Sequence, residues 1–276
     1  MDLILLKNIA IKAAVSAGEI IREFTGKDVS VRQKTAGTTY ASQVVTEVDK
    51  ACEKVILAKL LPTCEEFGIG LLSEETEDDG SRLEKDCFWC IDPLDGTLAF
   101  INKNPGYSVS IALVAKDGTP LIGVVYDPRA NNLYHAIRGG GAYKNDQLWE
   151  VEQKNSHLTY VTDQKLKETY RVAEIEKMLD EKVADLNLSA IKEIDGGGSV
   201  LNAILVLENG PACMLKFPKK ENGGGSIWDF AATACIYQEL GRSATNFTGG
   251  RLDLNNEETT FMNQEGVFYT NLILPK

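Results

Sequence analysis

The stretch Cys87-Phe88-Trp89-Cys90-Ile91-Asp92-Pro93-Leu94-Asp95-Gly96-Thr97 carries the clearest structural signal in the sequence. Its first five residues are apolar and predict a buried β-strand. Cys87 and Cys90 have CxxC spacing, but positions three apart in a strand face opposite sides, so we predict buried thiols that share no metal. Two aspartates follow on a backbone that Pro93 restricts. Asp95-Gly96 is also typical of a tight turn, so a purely structural role stays open for this segment alone.

Other acidic residues stand where neighbouring predicted elements begin or end. Glu74-Glu75 follows the strand-like run Leu71–Leu72, Asp49 lies in the first turn of a helix after Thr46, and Asp229 opens a helix near Trp228. Each also has a simpler interpretation. Thr46-x-x-Asp49 and Ser226-x-x-Asp229 have the spacing of helix caps, and Glu74-Glu75 begins an acidic run that could be a solvated surface.

Taken together, these acids point to metal ions. Carboxylates from four separate segments would repel one another strongly if they converged without cations. Hard oxygen ligands on a restricted backbone suit Mg²⁺, which binds a few carboxylates, waters and phosphate oxygens. The sequence therefore predicts a divalent cation site built from distant parts of the chain.

The apolar pattern of the first half predicts an α+β part. Residues 3–24 form the stripe of an amphipathic helix, and a second helix is expected from about 46 to 61, where Pro62 should stop it. Five short β-rich runs follow, at Ile69–Leu72, Phe88–Ile91, Tyr107–Val114, Leu121–Tyr126 and Leu133–Ile137. We expect residues 1–155 to be helices on a largely antiparallel sheet that carries the metal site.

From about residue 158 strands and helices alternate, which is typical of α/β structure. Strands are predicted near Leu158–Val161, Ile191–Ile194 and Ala212–Phe217, and helices near 167–185, 199–208 and 228–240. We expect residues 156–276 to form a second part. The two parts should pack as one unit with a cleft between them.

Composition excludes several classes of function. The 276 residues carry a net charge of −11 and no basic cluster, which argues against a nucleic acid polymer as partner. No segment has the ~20 consecutive apolar residues of a membrane span, and Lys7 and Lys12 interrupt the apolar run that begins at Leu3, unlike a secretory signal. Six cysteines are few for this length and fit reduced thiols, so a cytoplasmic location is expected. With two histidines and no nucleophile or phosphate-loop motif, histidine-driven chemistry is not predicted.

The acidic motifs also occur in a recognisable order. In sequence they are Asp49, Glu74-Glu75, Asp92-Pro93-Leu94-Asp95-Gly96-Thr97 and Trp228-Asp229-Phe230-Ala231-Ala232. With them the chain resembles the inositol monophosphatase superfamily of Mg²⁺-dependent, lithium-sensitive phosphomonoesterases. The similarity extends through Gly123–Tyr126, Arg138–Ala142 and Gly198-Ser199, nearly the whole chain. It implies a layered αβαβα sandwich of the inositol monophosphatase and fructose-1,6-bisphosphatase type.

The resemblance also implies a role for each matched residue. It assigns Glu74, Asp92 and the Leu94 carbonyl to one Mg²⁺, and Asp92, Asp95 and Asp229 to a second, with a third ion or Mn²⁺ also compatible. Thr97 and Asp49 would orient the attacking water beside Glu74. Gly96 and Thr97, at the start of a short helix, would direct backbone N–H groups at the phosphate.

The resemblance implies that the substrate is a small phosphate ester, that residues 156–276 set substrate specificity, and that one branch of the superfamily is favoured. The stretch Leu215-Lys216-Phe217-Pro218, with Lys216 seventeen residues after Ser199, resembles the 3′(2′),5′-bisphosphate nucleotidase branch. Enzymes of that branch act on adenosine 3′,5′-bisphosphate or 3′-phosphoadenylyl sulfate. Lys216 would hold the second phosphate, and Gly198 and Ser199 would contact phosphate or sugar unless they form only a strand-to-helix turn. Two features depart from that branch. Asn202 stands where a basic residue is common, and the segment 219–225 is glycine-rich, either as a surface loop or as a loop that gates the substrate.

Two alternatives remain at this level. The same metal site could serve an inositol monophosphatase or a sugar (bis)phosphatase. A different class is a metal- or phosphate-binding regulator that has lost the chemistry, although every matched position keeps a competent residue. A monomer or a homodimer is expected, since relatives differ and no exposed apolar stripe stands out.

Overall fold

Two long helices form the outer layer of the molecule. In the computed structural model, which describes residues 1–25, 31–33, 44–162 and 171–272, they are α1 (Leu3–Phe24) and α2 (Glu47–Phe67). The Asp2 side chain caps α1 by accepting the Ile4 and Leu5 N–H groups at 2.9 and 3.0 Å. The buried face of α1 is mostly alanine, which lets the backbone of α2 approach closely. The predicted first helix is confirmed.

Helix α2 corrects one prediction, because it continues through Pro62 to Phe67. A proline inside a helix costs roughly 3 kcal/mol through its missing N–H and a clash with the preceding turn. Contacts of the last turn offset that cost: the Trp89 indole N–H donates to the Thr63 hydroxyl at 2.9 Å, and both side chains are buried. The helix ends before Gly68, which has a φ of +66°.

The two helices lie on one face of a seven-stranded sheet. Its strands are β3 (Gly70–Ser73), β4 (Cys87–Asp95), β5 (Ser108–Ala115), β6 (Pro120–Asp127), β7 (Asn132–Ile137), β8 (Gly141–Lys144) and β9 (Gln147–Leu148), paired in that order. Only β3 and β4 are parallel, so the predicted, largely antiparallel sheet is confirmed. A small pair, β1 (Val31–Gln33) and β2 (Val44–Thr46), precedes it, and α3 (Ser81–Glu84) and α4 (Thr97–Ile101) flank β4.

Strand β4 is buried along its whole length and separates two hydrophobic clusters. Cys87, Trp89 and Ile91 face α1 and α2, whereas Phe88 and Cys90 face the opposite layer. The two cysteines therefore lie on opposite sides of the sheet, as their spacing predicts, and cannot share a metal ion.

A second sheet of five strands lies beyond an inner layer of helices. Its strands are β10 (Leu158–Thr162), β11 (Ile191–Asp195), β12 (Ala212–Lys216), β13 (Ser243–Thr245) and β14 (Val267–Thr270), in the order β11-β10-β12-β14-β13. Strand β10 is parallel to β11 and β12, while β14 is antiparallel to β12 and β13.

The remaining helices complete the layers. Helices α6 (Ser199–Glu208) and α7 (Ile227–Glu239) pack between the two sheets, and α5 (Val172–Asp185) contacts β10 and β11. The described part of the predicted helix 167–185 begins at Val172, and its expected start lies outside the described residues. The result is the predicted αβαβα sandwich. The division at residue 155 falls between the two sheets and stays a prediction. Among the described helices, none combines the length and apolar character needed to cross a bilayer.

Candidate active site

Three aspartates meet where β4 ends and α7 begins. Asp92 and Asp95 lie at the C-terminal end of strand β4, and Asp229 lies in the first turn of α7. One carboxylate oxygen from each lies within 4.8 Å of the other two. Asp92 and Asp95 are buried and Asp229 is half-buried. Residues 137 positions apart in the sequence thus form one compact acidic group.

The backbone around Pro93 fixes the first two of these carboxylates. The pairing of β4 with β5 shifts between Asp92 and Asp95, and the Leu94 N–H donates to Asp92 Oδ1 at 3.0 Å. The Thr97 hydroxyl donates to the Leu94 carbonyl oxygen at 3.1 Å. Gly96 has a φ of +81°, and a Cβ there would lie 2.3 Å from the Gly106 carbonyl oxygen, so only glycine fits this turn. The turn at Gly96 is therefore a tight one, as its simpler structural interpretation predicts, and the segment from Asp92 to Thr97 also places the Asp92 and Asp95 carboxylates in the acidic group.

Asp95 connects the turn to the inner helix layer. Its Oδ1 accepts the Ser199 N–H at 3.1 Å and its Oδ2 accepts the Val200 N–H at 3.0 Å. These N–H groups belong to the first turn of α6, where the helix dipole favours a negative charge. Gly198 permits this approach, because a Cβ at that position would lie 2.0 Å from Asp95 Oδ2. The loop 196–199 is therefore a strand-to-helix turn with a definite partner.

Asp229 can both cap a helix and bind a cation. Its Oδ2 accepts the Ser226 N–H at 2.5 Å, so it caps α7 as its spacing predicts. A carboxylate offers about four acceptor positions, and one cap leaves capacity for a cation.

The electrostatics of the group favour proton or metal uptake. Burial, followed by the charges of Glu74, Asp95 and Asp229, raises the pKa of Asp92 well above its usual range. Burial and the Asp229 charge raise the pKa of Asp95, and the Val200 hydrogen bond and Lys216 oppose this shift. Converging buried carboxylates of this kind are stable as anions only when cations share the site.

The donor set fits Mg²⁺ better than a soft metal. The converging ligand atoms are carboxylate oxygens, and burial raises the pKa of the nearby Cys90 thiol, which keeps it protonated. Asp92, Asp95 and Asp229 are the residues that could hold such an ion. Among the charged neighbours of Asp92, Glu74 raises its pKa most.

The other predicted catalytic residues surround this group. Glu74 directly follows β3, and its N–H donates to the Ile91 carbonyl at 3.1 Å, which places it beside the end of β4. Asp49 is buried in the first turn of α2, and its charge raises the pKa of Asp92. Thr97 begins α4. The structure thus brings together acids from all four predicted segments, while their individual roles stay predictions.

The predicted substrate residues lie on the side of the second sheet. Gly198 and Ser199 adjoin Asp95, and the Ser199 N–H is already engaged by that carboxylate. Lys216 ends β12 and is close enough to Asp95 to lower the pKa of that group. These positions are compatible with contact to a substrate bound at the acidic group.

Sequence reasoning missed one residue that organises the site. Glu53 lies one turn after Asp49 on α2, and its Oε1 accepts the Ser73 hydroxyl at 2.5 Å and the Thr76 hydroxyl at 3.0 Å. These two hydroxyls flank Glu74-Glu75, so one buried carboxylate ties the helix of Asp49 to the loop of Glu74. The i, i+4 spacing of two acids on one helix face was the available signal.

We expect Glu53→Ala to weaken Mg²⁺ binding, because Glu74 loses the hydrogen-bonded residues that hold its loop in place. Loss of an acceptor that orients a metal ligand typically costs about 10–100-fold in metal affinity or activity. The Mg²⁺ concentration for half-maximal activity should rise by about tenfold or more. Glu53→Gln keeps an acceptor oxygen and should recover most of this loss, whereas equal defects in both variants would contradict a role through hydrogen bonds.

The raised pKa values of Asp92 and Asp95 predict how stability without metal varies with pH. A group whose pKa is higher in the folded than in the unfolded state binds more protons when folded, so stability falls as pH rises above its ordinary value of about 4. In EDTA we expect a lower Tm at about pH 8 than at about pH 5.5. The Asp92→Asn variant should show a smaller difference. An equal or higher Tm of the wild type at the upper pH would contradict this expectation.

Comparison with known proteins agrees with this geometry. The inositol monophosphatase family model matches residues 2–273. A 3′(2′),5′-bisphosphate nucleotidase CysQ of Aggregatibacter actinomycetemcomitans is 31% identical over 96% of this chain and 90% of its own. A Nus factor SuhB of Pasteurella multocida is 32% identical over 88% of this chain and 85% of its own. The structure of an inositol monophosphatase from Anabaena (Nostoc) superposes with a TM-score of 0.69 at 24% identity, covering 98% of this chain and 92% of that one.

The family match spans nearly the whole chain, and relatives above 30% identity cover most of it. The acidic turn of β4, the acid that opens α7 and the five-layer sandwich are the features that the sequence resemblance implied. The chain therefore belongs to the inositol monophosphatase family, a family of phosphatases.

Proposed function

We propose that this protein is a Mg²⁺-dependent phosphomonoesterase that acts through an activated water. The observation that carries the proposal is the convergence of Asp92, Asp95 and Asp229, whose carboxylate oxygens lie within 4.8 Å of one another. The proposed ligands are Glu74, Asp92 and the Leu94 carbonyl for one ion and Asp92, Asp95 and Asp229 for another. When bound, the ions supply Lewis acidity toward the phosphate ester and its attacking water.

The chain's own residues then orient the attacking water. The Thr97 hydroxyl donates its hydrogen bond to the Leu94 carbonyl, so the hydroxyl oxygen is available to accept a hydrogen bond from the water. Asp49 is buried beside the acidic group and serves as a second acceptor. Thr97 and Asp49 would accept the water's two protons in hydrogen bonds beside Glu74, and an in-line attack requires no covalent enzyme intermediate.

For the substrate we propose a 3′-phosphorylated nucleotide such as adenosine 3′,5′-bisphosphate. A substrate with two phosphates needs a cation outside the metal ligands, and Lys216 lies close enough to Asp95 to affect its pKa. The similarity to a bisphosphate nucleotidase supports this choice, although a SuhB relative is equally similar. The preference should appear in kcat/KM for adenosine 3′,5′-bisphosphate against inositol 1-phosphate and fructose 1,6-bisphosphate. A nucleotide value no better than the other two would reject the proposed substrate.

Lys216→Ala tests the role of this cation. A charge-assisted hydrogen bond to phosphate contributes about 1.5–3 kcal/mol, so kcat/KM for the bisphosphate should fall about 10–100-fold. The loss for adenosine 3′-monophosphate should be much smaller. Lys192→Ala, at an exposed position on β11, is the matched control. Equal losses for both nucleotides would remove Lys216 from recognition of the second phosphate.

A further inference from the structure

Strand β5 presents two serines to the inner helix layer, on the side of the acidic group. Residues along β5 alternate between the two faces of the first sheet: Val109 and Ile111 pack against α1 and α2, whereas Ala112 packs against the inner helices. By the same alternation Ser108 and Ser110 face the inner layer. Both are buried, with exposures of 0% and 1%.

Each of these serines lies opposite one of the aspartates of the site. Strand pairing places Asp92 opposite Ser110 and Asp95 opposite Ser108. The aspartates are three residues apart and the serines only two, so the register shift between Asp92 and Asp95 brings both carboxylates to the serine face. Opposite residues of antiparallel strands have Cβ atoms about 4.5–5.5 Å apart. Ser108 is therefore a direct neighbour of the Asp95 side chain.

The two serine hydroxyls differ in what they contact. The Ser110 hydroxyl donates to the Trp228 carbonyl at 3.1 Å and so holds the first turn of α7, in which Asp229 lies. The Ser108 hydroxyl is fully buried and has no hydrogen-bond partner among the described residues. A buried hydroxyl without a partner destabilises a fold, so its position beside an acidic group points to a partner within that group.

The Asp95 carboxylate can accept this hydrogen bond. A carboxylate offers about four acceptor positions, and the Ser199 and Val200 N–H groups use one position on each oxygen. The remaining two positions suffice for one cation and one further donor. Hydrogen bonds to an ionised carboxylate are among the strong ones, and such outer donors keep a ligating carboxylate oriented toward its metal.

Building on the proposed function, we propose that Ser108 is a positioning residue of the cation site. Its hydroxyl donates to the Asp95 carboxylate, directly or through one bridging water, and keeps that carboxylate turned toward the ion. Ser108 itself touches neither the ion nor the substrate. Strand β5 then supports the acidic group at two points, at Asp95 through Ser108 and at the start of α7 through Ser110.

Ser108→Ala separates this role from a purely structural one. We expect the Kd for Mg²⁺, measured by titration calorimetry of metal-stripped protein, to rise by about tenfold. In EDTA the Tm should stay at the wild-type value or rise, because the substitution removes a buried hydroxyl that no described residue satisfies. An unchanged Kd for Mg²⁺ would overturn the inference. Weaker binding together with a lower Tm in EDTA would show a structural role and would overturn it as well.

Thr159→Val is the matched control. It deletes another fully buried hydroxyl that lacks a partner among the described residues. Thr159 lies opposite Ala212 at the start of β12, whereas Lys216, the neighbour of Asp95, lies at the end of that strand. This variant should keep the wild-type Kd for Mg²⁺. A rise equal to that of Ser108→Ala would mean that loss of any buried hydroxyl weakens binding, and the inference would be wrong.

Ser108→Cys controls for packing. Cysteine keeps a side chain of similar size but has only a weak S–H donor, so its Kd for Mg²⁺ should rise as in Ser108→Ala. Recovery of wild-type binding in Ser108→Cys would assign the effect to volume and contradict a role through a hydrogen bond.

The outcomes separate this inference from the proposed function. If the wild type binds Mg²⁺ and hydrolyses phosphate esters while Ser108→Ala binds Mg²⁺ equally well, only the inference about Ser108 fails. If the wild type binds no Mg²⁺, with or without a phosphate ester, the proposed function and this inference both fail.

Discussion

Asp92→Asn is expected to abolish turnover while the protein remains folded. Asp92 is 2% exposed, and among its neighbours the charges of Glu74 and Asp95 do most to raise its pKa, at the position that two proposed ions would share. An amide is a weaker ligand without charge, so both ions should bind poorly and kcat should fall by about a thousandfold or more. In EDTA the Tm should be unchanged or higher, because the substitution removes a buried charge that its neighbours repel.

A matched control comes from just before the same strand. Asp86→Asn makes the same chemical change at an exposed position that precedes β4 and should keep wild-type activity. Kinetics across a Mg²⁺ titration, together with thermal melts, would check both variants. Activity of Asp92→Asn close to wild type at saturating Mg²⁺ would rule out a shared ligand at this position.

Gly198→Ala is the second substitution with a large expected effect. The backbone at Gly198 has a φ of −69°, which alanine adopts readily, so the only obstacle is the 2.0 Å approach of its Cβ to Asp95 Oδ2. The Asp95 carboxylate must move and lose its hydrogen bonds from Ser199 and Val200. We expect activity to fall about a hundredfold and stability to fall by about 1–3 kcal/mol.

Gly140→Ala provides the comparison for this variant. Gly140 is exposed, and a Cβ there would meet its neighbours at ordinary contact distances from 3.4 Å upward. It should leave both activity and Tm near wild type. If Gly198→Ala behaved like Gly140→Ala, the contact between Asp95 and α6 would not matter for the site.

Local patterns explain how much of the fold could be predicted. The apolar stripe of α1 sets its bounds through periodicity, and the apolar start of β4 predicts a buried strand there. Strand β4 nevertheless continues past the predicted end at Ile91 to Asp95, because pairing with β5 extends it. The end of α2 could not be predicted, because the contact of Thr63 with Trp89 that offsets Pro62 joins residues 26 positions apart. The short strands β8, β9 and β13 were missed, since pairing with neighbours rather than their own residues defines them. Strand β14 was also missed, although Val267-Phe268-Tyr269-Thr270 consists of strand-forming residues and did carry a signal.

The residues of the candidate site likewise fall into those that the sequence predicts and those that it does not. Its acids could be predicted because they stand at the ends of recognisable elements, and their order in the chain is specific to the family. The partners that hold these acids could not, since Glu53 acts through Ser73 and Thr76, and Asp95 through the first turn of α6. Those contacts depend on which elements become neighbours, which the sequence does not show.

The central claim is that acids from distant segments assemble to bind divalent cations that enable hydrolysis. Titration calorimetry of metal-stripped protein with Mg²⁺, with and without a phosphate ester, measures this directly. We expect saturable binding by the wild type that is lost in Asp92→Asn and retained in Asp86→Asn. Absence of Mg²⁺ or Mn²⁺ binding by the wild type, even with a phosphate ester present, would contradict the account.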